Sequence, residues 1–130
     1  MLSKIKKKQH IDIYNYGKHL RDFTYVRDVV NVIFELSKRK KKGIDIFNIC
    51  SSKPIEIKKI LEITKKILKK DIKVNLKKKR KGEMNITYGS NKKLINQINY
   101  KNFTSIEKGL KKTIEWYNSF SNKKFLNNYK

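Results

Sequence analysis

Apolar residues recur along this chain with two alternating periods, and the points where the period changes divide it into elements. Ile11-Asp-Ile-Tyr14 alternates as a short strand does, and Asn15 to Leu20, with Gly17 inside it, supplies a turn. Val26, Val29, Val30, Ile33 and Phe34 then fall three and four apart, which predicts one face of a helix from Val26 to Ser37. Lys38 to Lys42 with Gly43 marks the helix exit. Ile44-Asp-Ile-Phe-Asn-Ile49 is expected to be a strand buried on both faces of a parallel sheet, and helix followed by strand makes half of a βαβ unit.

Ser51, Ser52 and Pro54 form a turn into a helix whose Ile57, Ile60, Leu61, Thr64, Ile67 and Leu68 share one face, with lysines on the other. Ile72, Val74 and Leu76 alternate with polar residues as a strand, and Ile86-Thr-Tyr88 is a second short strand. Asn91 to Gln97 reads as a short helix carrying Leu94 and Ile95, with Ile98 beyond. Thr104-Ser-Ile-Glu107 has the spacing of a capping box and opens the last helix. The apolar stripe of that helix is Ile106, Leu110, Thr113, Ile114 and Tyr117, with Trp116 and Phe120 expected in the core beside it. Residues 1–10 form a basic helix or tail too poor in apolar positions to stand alone, residues 11–120 hold the domain, and residues 121–130 are a polar tail. The fold class is therefore α/β.

A chain of 130 residues suits one domain that buries roughly two-thirds of its unfolded surface. One cysteine, Cys50, leaves no internal disulfide and suits a reducing, cytoplasmic compartment; its place at the end of an apolar run reads as a buried thiol. No run of eighteen apolar residues is present, so no membrane span is expected, and the basic N-terminus lacks the apolar block of a secretory signal.

The net charge of +23 ordinarily points to nucleic acid or an anionic surface. Here 30 lysines stand against four arginines, alanine is absent, and the lysines are spread over the polar faces of helices. That is the composition of a genome drifting toward A and T codons. Weak, nonspecific binding to polyanions at low salt is still expected, and a basic nucleic-acid-binding module stands as the alternative to the reading below.

Two stretches carry candidate chemistry. From Gly17 to Asp28 the chain reads Gly-Lys-His-Leu-Arg-Asp-Phe-Thr-Tyr-Val-Arg-Asp. This sets the planar fork of Arg21 just ahead of a helix, where it can grip a carboxylate or phosphate, or else pair with Asp22 and merely tether a loop. His19, beside Arg21, can touch an anion, although a loop histidine is more often simply solvated. The second stretch, Lys77 to Glu83, places five consecutive cations ahead of Gly82 and Glu83.

Ile11-Asp-Ile-Tyr14, Gly17 and Arg21-Asp-Phe-Thr-Tyr-Val26 resemble a late segment of the NAD-dependent nucleotide-sugar epimerases of the extended short-chain dehydrogenase/reductase family. The closest flavour is that of the UDP-glucuronate 4-epimerases. The resemblance continues through Phe47-Asn48-Ile49, Gly82-Glu83, Ile86-Thr87-Tyr88 and Glu115-Trp116-Tyr117, covering almost all of this chain but only the last third of such an enzyme. It implies the substrate-binding C-terminal part of the fold, with the last strand and helix of a Rossmann-like sheet and with the N-terminal portion absent.

The resemblance also implies roles. Tyr14 would lie beside the uracil ring, where a tyrosine can stack on a base, though a half-buried strand tyrosine without a ligand is equally ordinary. Arg80 would lie near the diphosphate and clamp it together with Arg21, while the sugar turns over between two hydride transfers. Glu83 would lie near the ribose hydroxyls, where the family usually has Asp. Arg27 replaces the first acid of a usual Asp-Asp pair, with Asp28 as the second, and puts a base against the helix dipole.

The implied substrate is a UDP-sugar, the implied cofactor of the intact enzyme is NAD, and the intact family is usually homodimeric. A separately encoded N-terminal Rossmann portion is an implied partner. Within this chain the five glycines never approach the dinucleotide-binding spacing. Two Tyr-x-x-x-Lys matches, Tyr14 with Lys18 and Tyr88 with Lys92, are what chance supplies, since seven tyrosines and 30 lysines make about 1.6 such pairs. Two histidines without a cysteine or acidic cluster make no zinc site. No cofactor is expected to bind this chain alone, activity alone is not expected, and a structural remnant that folds only with a partner is the remaining alternative.

Overall fold

Ile11, Ile13, Leu61 and Ile72 pack into one buried cluster, with Ile5, Ile57 and Val74 against its edge. They come from four segments of the chain, as seen in a computed structural model that describes residues 1–40 and 42–121. The elements in chain order are α1 (Leu2–Lys6), β1 (Ile11–Ile13), a 3-10 turn (Tyr14–Gly17), β2 (Leu20–Arg21), α2 (Val26–Ser37) and β3 (Ile55–Glu56). There follow α3 (Ile57–Leu68), β4 (Val74–Leu76), β5 (Ile86–Thr87), α4 (Lys92–Ile98) and α5 (Ile106–Ser121). Lys41 of the expected helix exit, the side chain of Phe120 and the expected tail beyond Ser121 lie outside the described residues.

The strands form two small sheets. β1 and β4 run parallel with Ile11 opposite Val74 and Ile13 opposite Leu76, so the buried isoleucines of β1 face α3. β2 lies between β3 and β5, antiparallel to the first and parallel to the second. Neither β2 nor β3 is expected from local pattern, because each is only two residues long and lies in a turn region. Their ladders depend on partners up to 66 positions away, as in Leu20 opposite Ile86.

Helix α3 keeps the expected apolar face at Ile60, Leu61 and Thr64 and also buries Ile63, so it is covered over a wider arc than the stripe alone. Helix α2 behaves differently. It buries Val32 and Asp28, whereas Val26, Val30, Ile33 and Phe34 of the expected face are 67%, 57%, 55% and 61% exposed.

Three further expectations are corrected. Ile44 to Ile49 joins no ladder among the described residues, and Ile44 and Ile46 stand out in solvent. A strand with both faces apolar needs strands on both sides, and no described strand lies beside it. Trp116 is more than half exposed rather than in the core. The cap of α5 is Ser105, whose Oγ accepts the Lys108 N–H at 3.4 Å, because the Thr104 hydroxyl is engaged by Asp28. Cys50 is half-buried, with its Sγ 3.6 Å from Ser52 Oγ. No helix among the described residues is long and apolar enough to cross a membrane.

Candidate functional site

Tyr14 begins the 3-10 turn that closes β1, and the backbone there is unusual. Asn15, Tyr16 and Gly17 all have positive φ, at 49°, 52° and 77°. Asparagine tolerates this conformation and glycine favours it, but an aromatic residue such as Tyr16 adopts it only when its surroundings enforce it. A side chain at Gly17 is excluded twice, by φ and by a Cβ that would meet Lys58 Cβ at 2.9 Å. The turn thus holds Tyr14 at the end of a buried strand.

The basic loop docks onto this turn. Lys77 N–H donates to Ile13 O at 2.8 Å, and Tyr16 N–H donates to Lys77 O at 3.2 Å. Three residues on, the guanidinium carbon of Arg80 lies 3.5 Å from the centroid of the Tyr14 ring. The Tyr14 hydroxyl, first among the causes, raises the Arg80 pKa above its ordinary value, so this side chain is a permanent cation.

Arg80 and Glu83 belong to one turn. Glu83 N–H donates to Arg80 O at 3.3 Å, and Gly82 between them has φ of 77°, the third-position conformation of a type II turn. Glu83 Oε2 accepts from Arg80 N–H at 3.4 Å, closing the turn, and Oε1 lies 3.5 Å from His19 Nδ1. His19 is only 3% exposed, so the expectation of a solvated histidine fails: Leu20, Ile57 and the β2 ladder fix the backbone around it. Nothing in the local sequence marks it for burial, since Lys18 and Arg21 flank it.

Arg21 and Asp22 do not pair with each other in a local tether. Arg21 Nη1 donates to Leu20 O at 2.8 Å and Asn85 O at 3.4 Å, and Nη2 donates to Met84 O at 2.9 Å. Asp22 accepts from Ser51 Oγ and from Ser52 N–H at 2.9 Å. The two neighbours therefore splint two different loops, and Arg21 grips the chain immediately after Glu83. Tyr14, Arg80, Glu83 and Arg21 all meet on the loop from Lys77 to Asn85.

Two cavities open elsewhere. One of about 600 Å³ lies between Phe23–Val26 and the first turns of α5, and one of about 370 Å³ adjoins it near Ser51 and Pro54. Both are mainly apolar and hold none of the four residues above, so chemistry rather than volume locates the site. No group of three His, Cys, Asp or Glu residues among those described can hold a metal ion.

A family profile described as GDP-mannose 4,6 dehydratase matches residues 1–113. The chain belongs to that family. It is 36% identical over 109 residues to an uncharacterised protein of Methanocaldococcus jannaschii, covering 84% of this chain and 33% of that one. With the UDP-glucuronate 4-epimerase of Thermodesulfobacterium geofontis it shares 31% over 113 residues, 86% of this chain and 34% of the relative. Its fold superposes with a TM-score of 0.81 on UDP-glucuronic acid 4-epimerase from Bacillus cereus, solved with UDP-glucuronic acid and NAD. There the identity is 23%, over 92% of this chain and 38% of that one.

The chain thus spans about a third of the length of its relatives. It has the α/β fold of the C-terminal part of extended short-chain dehydrogenase/reductase epimerases.

NAD is implied for the intact family, and the residues present do not fit it. A dinucleotide cradle needs a glycine turn leading from a strand into a helix N-terminus. Among the glycines only Gly89 lies between a strand and a helix. Its carbonyl accepts from Ser52 Oγ at 2.8 Å, and a Cβ there would meet Cys50 Sγ at 3.0 Å. That turn is packed against its own chain.

Proposed function

We propose that this chain is the nucleotide-sugar-binding part of a nucleotide-sugar 4-epimerase and that its ligand is the UDP portion of a UDP-sugar. The observation that carries the proposal is the docking of the Arg80–Glu83 turn on Tyr14, which brings together an aromatic ring, a permanent cation over it and a partly exposed carboxylate. A nucleoside diphosphate offers complementary groups: a flat base, ribose hydroxyls that donate to a carboxylate, and a diphosphate that attracts a guanidinium.

Arg21 serves the same end at one remove. Its charge is spread over the carbonyls of Leu20, Met84 and Asn85, so it fixes the loop that carries Arg80 and Glu83 while remaining half-buried beside them. The chain binds and orients; it holds no dinucleotide cradle, and no hydride or proton step is assigned to its residues.

The hexose-facing and cofactor-holding groups belong to a Rossmann portion that covers the exposed apolar face of Val26, Val30, Ile33 and Phe34 together with Ile44 and Ile46. The test is calorimetric titration of the chain with UDP and with NAD⁺. Saturable binding of UDP without saturable binding of NAD⁺ is expected. Binding of neither, or equal binding of UDP and inorganic pyrophosphate, removes the nucleotide site.

A further inference from the structure

We propose that His19 is a positioning residue for the ribose contact, holding the Glu83 carboxylate in place; this rests on the nucleotide site proposed above. The imidazole is 3% exposed, and its Nδ1 lies 3.5 Å from Glu83 Oε1. A carboxylate can only accept, so in this contact the imidazole Nδ1 is the donor. Nε2 is fully buried and has no partner among the described residues. A buried polar atom left without a partner is unfavourable, and an apolar side chain would fill the same space without that penalty. Packing alone therefore does not account for a histidine here, whereas the contact to Glu83 does.

The supporting backbone is fixed on both sides. His19 O accepts from Ile57 N–H at 3.0 Å, and Leu20 N–H donates to Asn85 O at 2.9 Å. The imidazole is thus presented by a rigid strand start to a residue on a solvent-facing turn. Glu83 is 27% exposed at its side chain and has three rotatable bonds; held at Oε1 by His19 and at Oε2 by the Arg80 N–H, it loses that freedom before a ligand arrives. An aspartate, which the resemblance leads one to expect at this position, is one methylene shorter and would not reach His19 from the same backbone. The histidine and the longer acid make a matched pair.

The experiment is titration of the full chain with UDP and with 2′,3′-dideoxy-UDP. The variants are His19→Asn, whose amide nitrogen falls near Nδ1, His19→Leu, Glu83→Ala and the double variant His19→Leu/Glu83→Ala. His19→Leu is expected to weaken UDP about five- to tenfold, His19→Asn to stay within about twofold of wild type, and His19→Leu to add nothing once Glu83 is gone. Dideoxy-UDP, lacking the hydroxyls, is expected to bind wild type and His19→Leu alike, which a general loss of structure would not produce. Should His19→Leu fail to fold, His19→Gln, whose amide reaches toward Nε2 instead, takes its place. An unchanged UDP affinity in His19→Leu, or an equal loss with and without Glu83, overturns the role of His19 alone. No UDP binding by wild type overturns the nucleotide site and this role with it.

Discussion

Arg80 lies flat over Tyr14, with its guanidinium carbon 3.5 Å from the ring centroid, so the cation of the basic loop is anchored to the strand end that carries the aromatic face. Such a contact fixes where the charge sits. Arg80→Ala is expected to weaken UDP roughly tenfold to a hundredfold, through the loss of charge-assisted bonds worth about 1.5 to 3 kcal/mol. Arg80→Lys should recover only part of this, since an ammonium neither stacks nor forks. Lys111→Ala, on an exposed helix face, should change nothing, because one charge among 34 barely alters the long-range field. Titration calorimetry at two salt concentrations separates these outcomes, and equal losses in all three variants would mean the charge acts nonspecifically.

Arg21 ties β2 to the carbonyls of Met84 and Asn85, so its removal should show in stability as well as in binding. Arg21→Ala is expected to lower the unfolding free energy by about 1.5 to 3 kcal/mol, the scale of hydrogen bonds to a charged group, at the low end because the site is partly exposed. Denaturant melts check the stability. Tryptic cleavage between Lys77 and Lys81 should speed up in parallel, and an unchanged cleavage rate would show that the loop is held without Arg21.

Helices α2, α3 and α4 were legible because their apolar spacing is local, and β1 and β4 because their alternation is. What could not be read depends on distant partners. Asp28 is buried by Thr104 and Tyr100, more than 70 positions away, and His19 by Glu83, 64 positions away. Ile44 to Ile49 has the composition of a strand, yet it joins no ladder among the described residues. At the site, the resemblance points to Tyr14, Arg80 and Glu83, and the structure puts Arg80 and Glu83 on one turn with Arg80 over the Tyr14 ring. Nothing local distinguished the carbonyl-gripping Arg21 from a free anion clamp.

Asp28 is 4% exposed and accepts from Thr104 N–H and Thr104 Oγ1, both at 2.8 Å, at the entrance to α5. Burial, first among the causes, raises the pKa of the adjacent Tyr100 phenol, and the Asp28 charge adds to it. Asp28→Ala removes the acceptor of three donors, two on Thr104 and one on Tyr100, and should cost about 2 to 4 kcal/mol, whereas Asp28→Asn, which keeps one acceptor, should cost less. Thermal melts rank the two, and equal losses would assign the effect to side-chain volume.

Asp12 accepts from Asn75 Nδ2 at 2.9 Å across the β1–β4 ladder, and that hydrogen bond, ahead of nearby lysines, lowers its pKa below 3.8. A depressed carboxylate pKa favours the folded state above the unfolded value, and this advantage disappears as the pH falls through the folded one. Asn75→Ala should therefore raise the Asp12 pKa toward 3.8 and remove the small stability increment present above the unfolded pKa. Carbon-detected titration of the Asp12 carboxyl follows the change; no movement would assign the shift to the surrounding lysines.

Val26, Val30, Ile33 and Phe34 repeat at helix spacing along one side of α2, and all four are more than half exposed, as are Ile44 and Ile46. Apolar residues so arranged are ordinarily covered, and chains that leave them open associate. The chain alone is expected to self-associate or dissolve poorly at moderate salt, where its +23 charge no longer keeps copies apart. Val30→Lys together with Phe34→Glu should restore a monomer without loss of UDP binding, because neither residue touches the Lys77–Asn85 loop. The same pair of changes should abolish docking of a polypeptide that carries the glycine turn and Tyr-x-x-x-Lys, and with it any recovered 4-epimerisation of UDP-glucuronate. Sedimentation velocity and a mixing assay test the two halves. A wild-type chain that sediments as a monomer at moderate salt, or a double variant that still docks and turns over substrate, would assign these residues to a surface with no partner.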